Sequence, residues 1–397
     1  MEYFIFEYIW AIAVLPKTIQ FAVLVVIALC LKMQSVHRFS IRKDIFANTI
    51  LATNVIFSFA IVASLIMNTH QLSRVLAAIN TCIITYIAIM FYSRYRYIEI
   101  DLLKVSKYMF INMLILFGLY VFYKIVGLAG NFPFMNRVLC GPDWVYGVYE
   151  LRFRGYLEYT NLVVYMYLYC FPISLLYAKQ KLKKIGCVFY ELLSLFPIIA
   201  TNSRTGIVCA VFLVGMTIIF FNMQVVFKIY KNNKKILFIA MIFMGIIILG
   251  CFNMKIVNGI SKILSARQGS TDTRVQIYVA SLTKMWTESP IWGCGIKDYF
   301  GGFPYGSHST YIGMFYKNGI WGGCIYLIGM GISILRLFME KENNSVSLVC
   351  KIGYVCVFAL SIFEDLDGSN WNIVMFMTLF SVLFGQKNIN LMGEKYE

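Results

Sequence analysis

The chain has 397 residues, of which 60% are hydrophobic and only 14% are charged. About a quarter of the residues of an ordinary soluble domain are charged, so this composition excludes a soluble protein and predicts an integral membrane protein. The formal net charge is +16. Because the basic residues fall mainly in short clusters between apolar runs, they indicate cytoplasmic loops and no binding to nucleic acid.

Long, continuous apolar runs predict an all-α, polytopic transmembrane bundle of about eleven spans, because the strands of a membrane barrel would alternate over about ten residues. The predicted spans are 17–34, 45–67, 75–93, 108–129, 161–178, 186–201, 205–221, 236–253, 319–338, 347–364 and 371–386. The apolar run 3–15 is short and precedes Pro16. It predicts a re-entrant or interfacial segment, or the first half of a bent helix that would make a twelfth span. We expect residues 1–397 to form a single integral membrane domain.

The orientation follows from Lys and Arg in the short loops, because such residues are retained on the cytoplasmic side. The basic clusters lie at 32–43, 94–107, 179–184 and 228–235. Two predicted spans separate each cluster from the next, so all four share one side. Two long loops, about 130–160 and about 254–318, are then predicted to face outward. Both are rich in aromatic residues, which is typical of loops that pack or bind something.

Arginines in the outward segments need a reason, because positive residues are disfavoured there. The four arginines are Arg152, Arg154, Arg204 and Arg274. An anion at the outer membrane surface would supply the reason, since guanidinium forks match phosphate oxygens and several together can hold a diphosphate. The alternative for each arginine is an ordinary salt bridge with a carboxylate such as Glu158, or snorkelling from a helix end.

His308 stands in the segment Tyr305–Tyr311, close to the point where the second long loop re-enters the membrane. A histidine side chain suits general-base work near neutral pH, and the alternative is a structural histidine. Glu364, Asp365 and Asp367 form an acidic patch that is predicted either to bind a cation or, preferably, to pair with the arginines. The cysteines and histidines form no cluster with ligand spacing, so no metal site and no cofactor are expected.

Three short motifs follow one another in the second half of the chain. They are Asn202-Ser203-Arg204-Thr205-Gly206 before an apolar span; Thr273-Arg274 leading through Trp286 and Ser289-Pro290 to Gly293-Cys294-Gly295; and His308 followed by Tyr311 and Lys317-Asn318-Gly319-Ile320-Trp321-Gly322. In this order they resemble the long outer loop of the O-antigen ligase and polymerase superfamily of bacterial envelope glycan enzymes. One departure is Ser309, since members often have Asn directly after the loop histidine.

A further segment, Arg152-Phe153-Arg154-Gly155 with Glu158 and Asn161, is similar to the region before the middle spans of Wzy-type repeat-unit polymerases. The motif resemblance covers about residues 150–325. The glycines of Gly293-Cys294-Gly295 are expected to serve a turn, because no phosphate-loop pattern follows them.

The resemblance implies a metal-independent, inverting glycosyltransferase in the bacterial cytoplasmic membrane. It would move a glycan from undecaprenyl diphosphate to a sugar hydroxyl on the outer face. The resemblance and the residues together assign Arg204 and Arg274 to the diphosphate and His308 to the attacking hydroxyl. The residues assigned to substrate binding are Arg152, Arg154, Glu158 and Tyr311.

The preferred activity is that of a polymerase, which joins lipid-linked repeat units. The implied partners are the lipid-linked oligosaccharide, membrane lipid, a flippase and a chain-length regulator. The alternatives are a ligase, which moves the finished glycan to another acceptor, and a lipid-linked oligosaccharide flippase. A transporter should place charges or broken helices near the bilayer midplane, whereas the candidate residues gather at the outer ends of the predicted spans.

Overall fold

The computed structural model describes residues 3–33, 45–67, 72–97, 100–126, 133–134, 137–145, 148–232, 268–295, 298–339, 345–365 and 369–384. Helices account for 81% of these residues, so the protein is mostly helical with little sheet. Four of the described helices are long and apolar enough to cross a membrane: Leu102–Val126, Thr160–Lys181, Thr310–Phe338 and Val346–Phe363. Shorter apolar helices accompany them, as expected of a membrane protein. The count of about eleven spans is not confirmed, and the predicted span 236–253 lies outside the described residues.

The N-terminal apolar run forms two short helices, α1 (Phe4–Glu7) and α2 (Ile9–Val14), followed after Pro16 by α3 (Lys17–Met33). The backbone N–H of Asp101 donates to the Tyr3 hydroxyl at 3.0 Å. Tyr3 therefore lies at the end of the molecule that carries the predicted cytoplasmic cluster 94–107. Most of the apolar side chains of α1 and α2 are buried, so this run packs against the other helices.

Three long helices follow: α4 (Ile45–Met67), α5 (Leu72–Tyr97) and α6 (Leu102–Val126). The first long loop contains four strands that hydropathy did not predict: β1 (Pro133–Phe134), β2 (Arg137–Val138), β3 (Cys140–Val145) and β4 (Val148–Phe153). They pair as two antiparallel hairpins. Strand pairing in the β3–β4 hairpin satisfies the backbone N–H and C=O groups of this part of the loop.

Helix α7 (Thr160–Lys181) is the centre of the bundle, and its residues from Leu162 to Phe171 are buried around the whole circumference. A helix that is apolar on all sides is expected at such a position. It packs most extensively against α6 and against the later helices Arg204–Asn232 and Ser345–Phe363. The predicted span 186–201 is instead two helices, α8 (Lys184–Leu193) and α9 (Leu195–Ile199). Helix α10 (Arg204–Asn232) follows.

The second long loop holds a helix that was not predicted, α11 (Gln268–Glu288), and a hairpin of β5 (Tyr299–Phe300) and β6 (Phe303–Pro304). The last three helices are α12 (Thr310–Met339), α13 (Ser345–Phe363) and α14 (Asn370–Phe384). Helix α12 begins nine residues before the predicted span 319–338. Hydropathy missed its first turns because Lys317 and Asn318 interrupt the apolar run.

Helix α12 is broken at Gly319, which has φ 66° and ψ −169°. The turn Pro290–Gly295 inserts into this break. The N–H groups of Cys294 and Gly295 donate to the carbonyls of Tyr316 and Lys317 at 2.8 and 2.9 Å, and the N–H of Ile320 donates to Pro290. Backbone groups freed inside a membrane bundle must find such partners. The expected turn at Gly293 and Gly295 is confirmed, since both have positive φ.

Because the turn Pro290–Gly295 packs into the break of α12 at Gly319, we expect the Gly319→Ala variant not to fold stably. A Cβ at Gly319 would lie 2.1 Å from the carbonyl oxygen of Ile291. The clash and the positive φ together should cost about 3 kcal/mol or more. The measurement is the thermal unfolding midpoint of purified protein in detergent.

The matched control is Gly331→Ala in the same helix, where an added Cβ meets no atom within 4 Å. A Gly→Ala change inside a helix gains about 1 kcal/mol, so this variant should be as stable as the wild type or more so. Equal midpoints for the two variants would show that the turn does not depend on Gly319.

Candidate active site

A polar cluster is built around Glu364, which directly follows α13 and is 5% exposed. Its Oε1 accepts a hydrogen bond from Arg274 Nη2 at 3.0 Å, and its Oε2 accepts one from the side-chain amide of Asn161. Its backbone oxygen accepts bonds from the N–H and Oγ1 of Thr310 at 3.1 and 2.9 Å. Helices α7, α11, α12 and α13 therefore meet at one residue, and the expected pairing of the acidic patch with an arginine is confirmed for Glu364 and Arg274.

Two helix N-termini meet at this cluster, and a third lies beside it. Helix α7 begins at Thr160, next to Asn161, and α12 begins at Thr310. Helix α10 begins at Arg204 and packs closely on α7, since a Cβ at Gly206 would lie 2.6 Å from Val164. Helix N-termini carry partial positive charge and unpaired N–H groups, so they favour an anion.

Three of the four predicted arginines belong to this region. Arg152 donates from Nε to the carbonyl oxygen of Thr201 at 2.6 Å, in the turn that leads into Arg204. The charge of Arg152 also acts on the carboxyl of Glu364, as does that of Arg274. Arg152 thus links the start of α10 to the Glu364 cluster. The side chain of Arg274 is 28% exposed.

Arg154 has a different environment. Its guanidinium lies over Gly141 of the β3–β4 hairpin, where an added Cβ would be 2.6 Å from Arg154 Cζ. Its backbone N–H donates to Leu139 at 2.9 Å. Its predicted contact with substrate stays a prediction.

Burial raises the pKa of the Glu364 carboxyl, while the neighbouring Arg274 and then Arg152 act in the opposite direction. Desolvation disfavours the carboxylate and the two positive charges favour it. Loss of either arginine would therefore raise this pKa further, so the charge of Glu364 depends on the arginines around it.

His308 lies two residues before the Thr310 that binds Glu364, in a left-handed conformation with φ 62°. Non-glycine residues at positive φ are uncommon and occur often at functional sites. The hydroxyl of Tyr278 on α11 donates to the His308 carbonyl oxygen at 2.6 Å. The His308 ring lies 6.3 Å from that of Phe303, measured between centroids.

Ser309 caps α12, because its Oγ accepts from the N–H of Ile312 at 3.3 Å. Asn is an equally good N-cap. The departure from the superfamily pattern at Ser309 therefore keeps the local structure that presents His308.

Glu158 lies in a second, separate network. Its side chain is 7% exposed, and it accepts from Arg137 at 3.0 Å and from Gln20 at 2.9 Å. Trp371 Nε1 and Ser369 Oγ also donate to it. This network ties the N-terminal segment to α14, and the predicted substrate contact of Glu158 stays a prediction.

Tyr311 lies one residue beyond Thr310, and its hydroxyl donates to the carbonyl oxygen of Phe358 on α13 at 3.1 Å. The centroid of its ring lies 6.0 Å from that of the Tyr326 ring. Tyr311 thus joins α12 to α13 beside the Glu364 cluster. Substrate binding by Tyr311 stays a prediction as well.

The loop aromatics divide into packed and exposed residues. Phe153 and Tyr156 are fully buried, whereas Trp286 is 65% and Tyr299 70% exposed.

Among the residues that the structure describes, no group of three or more His, Cys, Asp or Glu could hold a metal ion.

Sequence reasoning missed two contributors, Tyr278 and Thr310. Both act through the backbone of a partner that is distant in sequence, for which no motif gives a signal.

Part of the chain matches a known protein family. Residues 189–327 match the family model described as O-antigen ligase. The matched segment contains Arg204, Arg274 and His308, and it ends before Glu364. The match supports the O-antigen ligase and polymerase superfamily and, broadly, a glycosyltransferase-like activity in polysaccharide biosynthesis. A search of the curated proteins finds no match.

Proposed function

We propose that this protein is a polysaccharide polymerase of the bacterial cytoplasmic membrane. It transfers a glycan from an undecaprenyl-diphosphate donor to a sugar hydroxyl of another lipid-linked repeat unit on the outer face. The observation that carries the proposal is the Glu364 cluster, where Arg274 binds the carboxylate, the charge of Arg152 acts on it, and helices α7 and α12 begin. A flippase that supplies the repeat units and a chain-length regulator would be its partners.

The donor diphosphate is bound by the arginines. Arg274 gives one N–H to Glu364 and is partly exposed, so its remaining N–H groups can bind phosphate oxygens. Arg204 at the start of α10 adds its own charge and the positive end of the helix dipole. Arg152 and Arg154 extend the basic surface toward the first long loop and bind the lipid-linked substrate.

The reaction is a displacement at the anomeric carbon. The acceptor hydroxyl oxygen forms the new bond to that carbon, and its proton passes to the imidazole of His308. The bond from the anomeric carbon to the diphosphate oxygen breaks, and undecaprenyl diphosphate leaves with the electron pair. Arg204 and Arg274 stabilise the charge that develops on this oxygen. Attack from the face opposite the leaving group inverts the anomeric configuration.

The second long loop offers a surface for the sugars. Trp286, Tyr299, Phe300 and Phe303 are all at least 39% exposed. Aromatic rings of this kind are suited to stacking on sugar faces. Phe303 is also the ring next to His308, so an acceptor sugar held by the hairpin would approach the proposed base.

A ligase is the second candidate, because the description of the matched family names that activity. The polymerase is preferred because the segment Arg152–Gly155 with Glu158 and Asn161 is similar to the Wzy-type polymerases. A flippase is disfavoured although α12 is broken, because the freed carbonyls bind the turn Pro290–Gly295. Transporters use such breaks to line a substrate path.

The test is to incubate purified protein in liposomes with lipid-linked repeat units and to separate the products by size. A ladder of lengths supports the polymerase. A single transfer to a different added acceptor would indicate the ligase, and movement of lipid across the bilayer without new glycosidic bonds would indicate the flippase. Transfer activity should persist when a metal chelator is added. If the chelator abolished activity and added divalent metal restored it, the enzyme would be metal-dependent.

A further inference from the structure

A groove runs along helix α11, on the side that faces the β5–β6 hairpin. Its volume is about 640 Å³, which lies within the roughly 300–1,000 Å³ that is usual for ligand pockets. One wall is formed by residues 275–288 of α11, and the other by Phe300 and Tyr305. At 1.5 Å per residue, the helical wall is about 20 Å long. The groove is therefore an elongated site.

The helical wall is polar because α11 buries a different face. Ile277, Ser281 and Met285 recur every four residues and are buried, so their face packs against the rest of the protein. The face that lines the groove carries exposed amide and hydroxyl groups. These belong to Gln276, Thr283 and Thr287. A few such polar groups beside an aromatic ring suit the hydroxyl groups and the apolar faces of sugars.

The hairpin wall is supported from behind. The ring of Tyr305 stacks on that of the fully buried Tyr316, with centroids 5.3 Å apart and an interplanar angle of 13°. The N–H of Tyr305 donates to the backbone oxygen of Asp298 at 2.7 Å. The centroid of the Phe300 ring lies 5.8 Å from that of Tyr305, and Phe300 is 39% exposed. Phe300 therefore offers an aromatic surface to a bound sugar on a fixed support.

The charges at the groove are already paired. Of the described residues that line it, only Lys284 and Glu288 are charged. Lys284 Nζ donates to Asp298 Oδ2 at 2.9 Å and lies 4.0 Å from Glu288 Oε1. Two carboxylates thus share one ammonium group, and both would repel a third carboxylate brought by a ligand. The groove therefore suits an uncharged ligand better than an acidic one.

One end of the groove adjoins the proposed diphosphate site. The lining begins at Val275, the residue directly after Arg274, and Arg274 binds the carboxylate of Glu364. A sugar linked to a diphosphate at Arg274 would therefore lie at this end of the groove. The next sugars of the same glycan would extend along α11 toward Glu288.

We propose that this groove binds the donor glycan and selects repeat units that contain no acidic sugars. The proposal rests on the proposed function, because it takes the donor diphosphate to be bound at Arg274. It adds a substrate class, which is uncharged sugars such as hexoses and N-acetylhexosamines.

The first test is the composition of the natural substrate. The lipid-linked repeat unit is extracted from cells in which the gene for this protein has been deleted, and its sugars are analysed. We expect no uronic acid, no sialic acid and no other acidic substituent. An acidic sugar in the repeat unit would overturn the proposed selectivity. The extracted unit is also the donor for the kinetic tests.

The second test blocks the groove. Thr283→Trp places a large side chain in the groove from an exposed position of α11, and Phe300→Ala removes the aromatic wall. Each variant should raise KM for the extracted unit about tenfold, which corresponds to about 1.4 kcal/mol. The value of kcat should change little, because the arginines and His308 stay in place.

The matched control is Gln180→Trp, which adds a tryptophan at an exposed position in the last turn of α7. It should leave KM unchanged. An unchanged KM in both groove variants, or an equal rise in the control, would overturn the proposal and leave the proposed function intact. No transfer by the wild type from the extracted unit would instead contradict the proposed function.

The third test measures the effect of charge. Oxidation of the primary hydroxyl groups of the extracted unit to carboxylates gives an acidic donor with otherwise the same sugars. For the wild type, KM should be clearly higher for the acidic donor than for the neutral one. Glu288→Lys should reduce the ratio of these two KM values about threefold, as expected for an exposed charge. Equal KM values for the two donors in the wild type, or an unchanged ratio in Glu288→Lys, would overturn selection by the groove.

Discussion

The Arg274→Ala variant is expected to lose most glycan transfer, with kcat/KM reduced by about 10²–10³-fold. Removal of one preorganised donor to developing charge typically has this effect. The Lys variant should recover little activity, because an ammonium group cannot form the guanidinium fork. Initial rates with a lipid-linked donor, at matched amounts of purified protein, measure the change.

A structural role for Arg274 has to be separated from this chemical role. Loss of Arg274 leaves the buried carboxylate of Glu364 without its partner at 3.0 Å. Breaking a buried pair in this way costs about 3–5 kcal/mol. The double variant Arg274→Ala/Glu364→Gln removes the stranded charge. The double variant should regain stability and remain inactive. Recovery of glycan transfer would instead show that Arg274 acts only through its ion pair with Glu364.

Arg204→Ala is expected to reduce transfer to a similar extent while leaving insertion into the membrane intact. Arg204 is the first residue of α10, where its loss should not disturb the helix itself. Binding of undecaprenyl diphosphate, measured by competition with a labelled donor, should weaken. Normal amounts of polymer from both the Arg204 and the Arg274 variants would show that these two arginines do not bind the donor diphosphate.

The His308→Ala variant is expected to reduce kcat by about a hundredfold or more, since general bases commonly contribute 10²–10⁴-fold. Donor affinity should change little, because the arginines bind the diphosphate. The backbone needs a control, since His308 has φ 62° and alanine tolerates this conformation poorly. His308→Asn keeps a residue that accepts positive φ, so it isolates the loss of the imidazole.

The pH profile distinguishes a base from an orienting group. If a neutral imidazole accepts the proton, the rate at saturating substrate should fall as the pH is lowered, because protonation of the imidazole removes the base. Appreciable activity of His308→Asn without this acid limb would show that the side chain only orients the acceptor. Lost donor binding with unchanged kcat would make His308 a binding residue and leave the reaction without a base.

The sequence by itself determined the class of the molecule. Composition and long apolar runs specified a helical membrane protein, because lipid contact requires an apolar surface and internally bonded backbone. The positions of most helices followed from the same runs, although the number of spans did not. The candidate arginines and His308 could also be selected, because an unexpected charge at a helix end or in an aromatic loop is visible in the sequence. The order of the motifs that contain these residues supported the resemblance to the O-antigen ligase and polymerase superfamily.

The tertiary structure decided which of these residues meet. Arg274 and Glu364 are ninety positions apart, and no local pattern connects them. The break at Gly319 is filled by a turn from the preceding loop, and the groove along α11 is made by this helix and the β5–β6 hairpin. Hydropathy and helical periodicity record how a residue relates to neighbours within a few turns. The pairing of distant side chains depends instead on how whole helices pack, which is fixed only when every buried polar group and every volume is satisfied together.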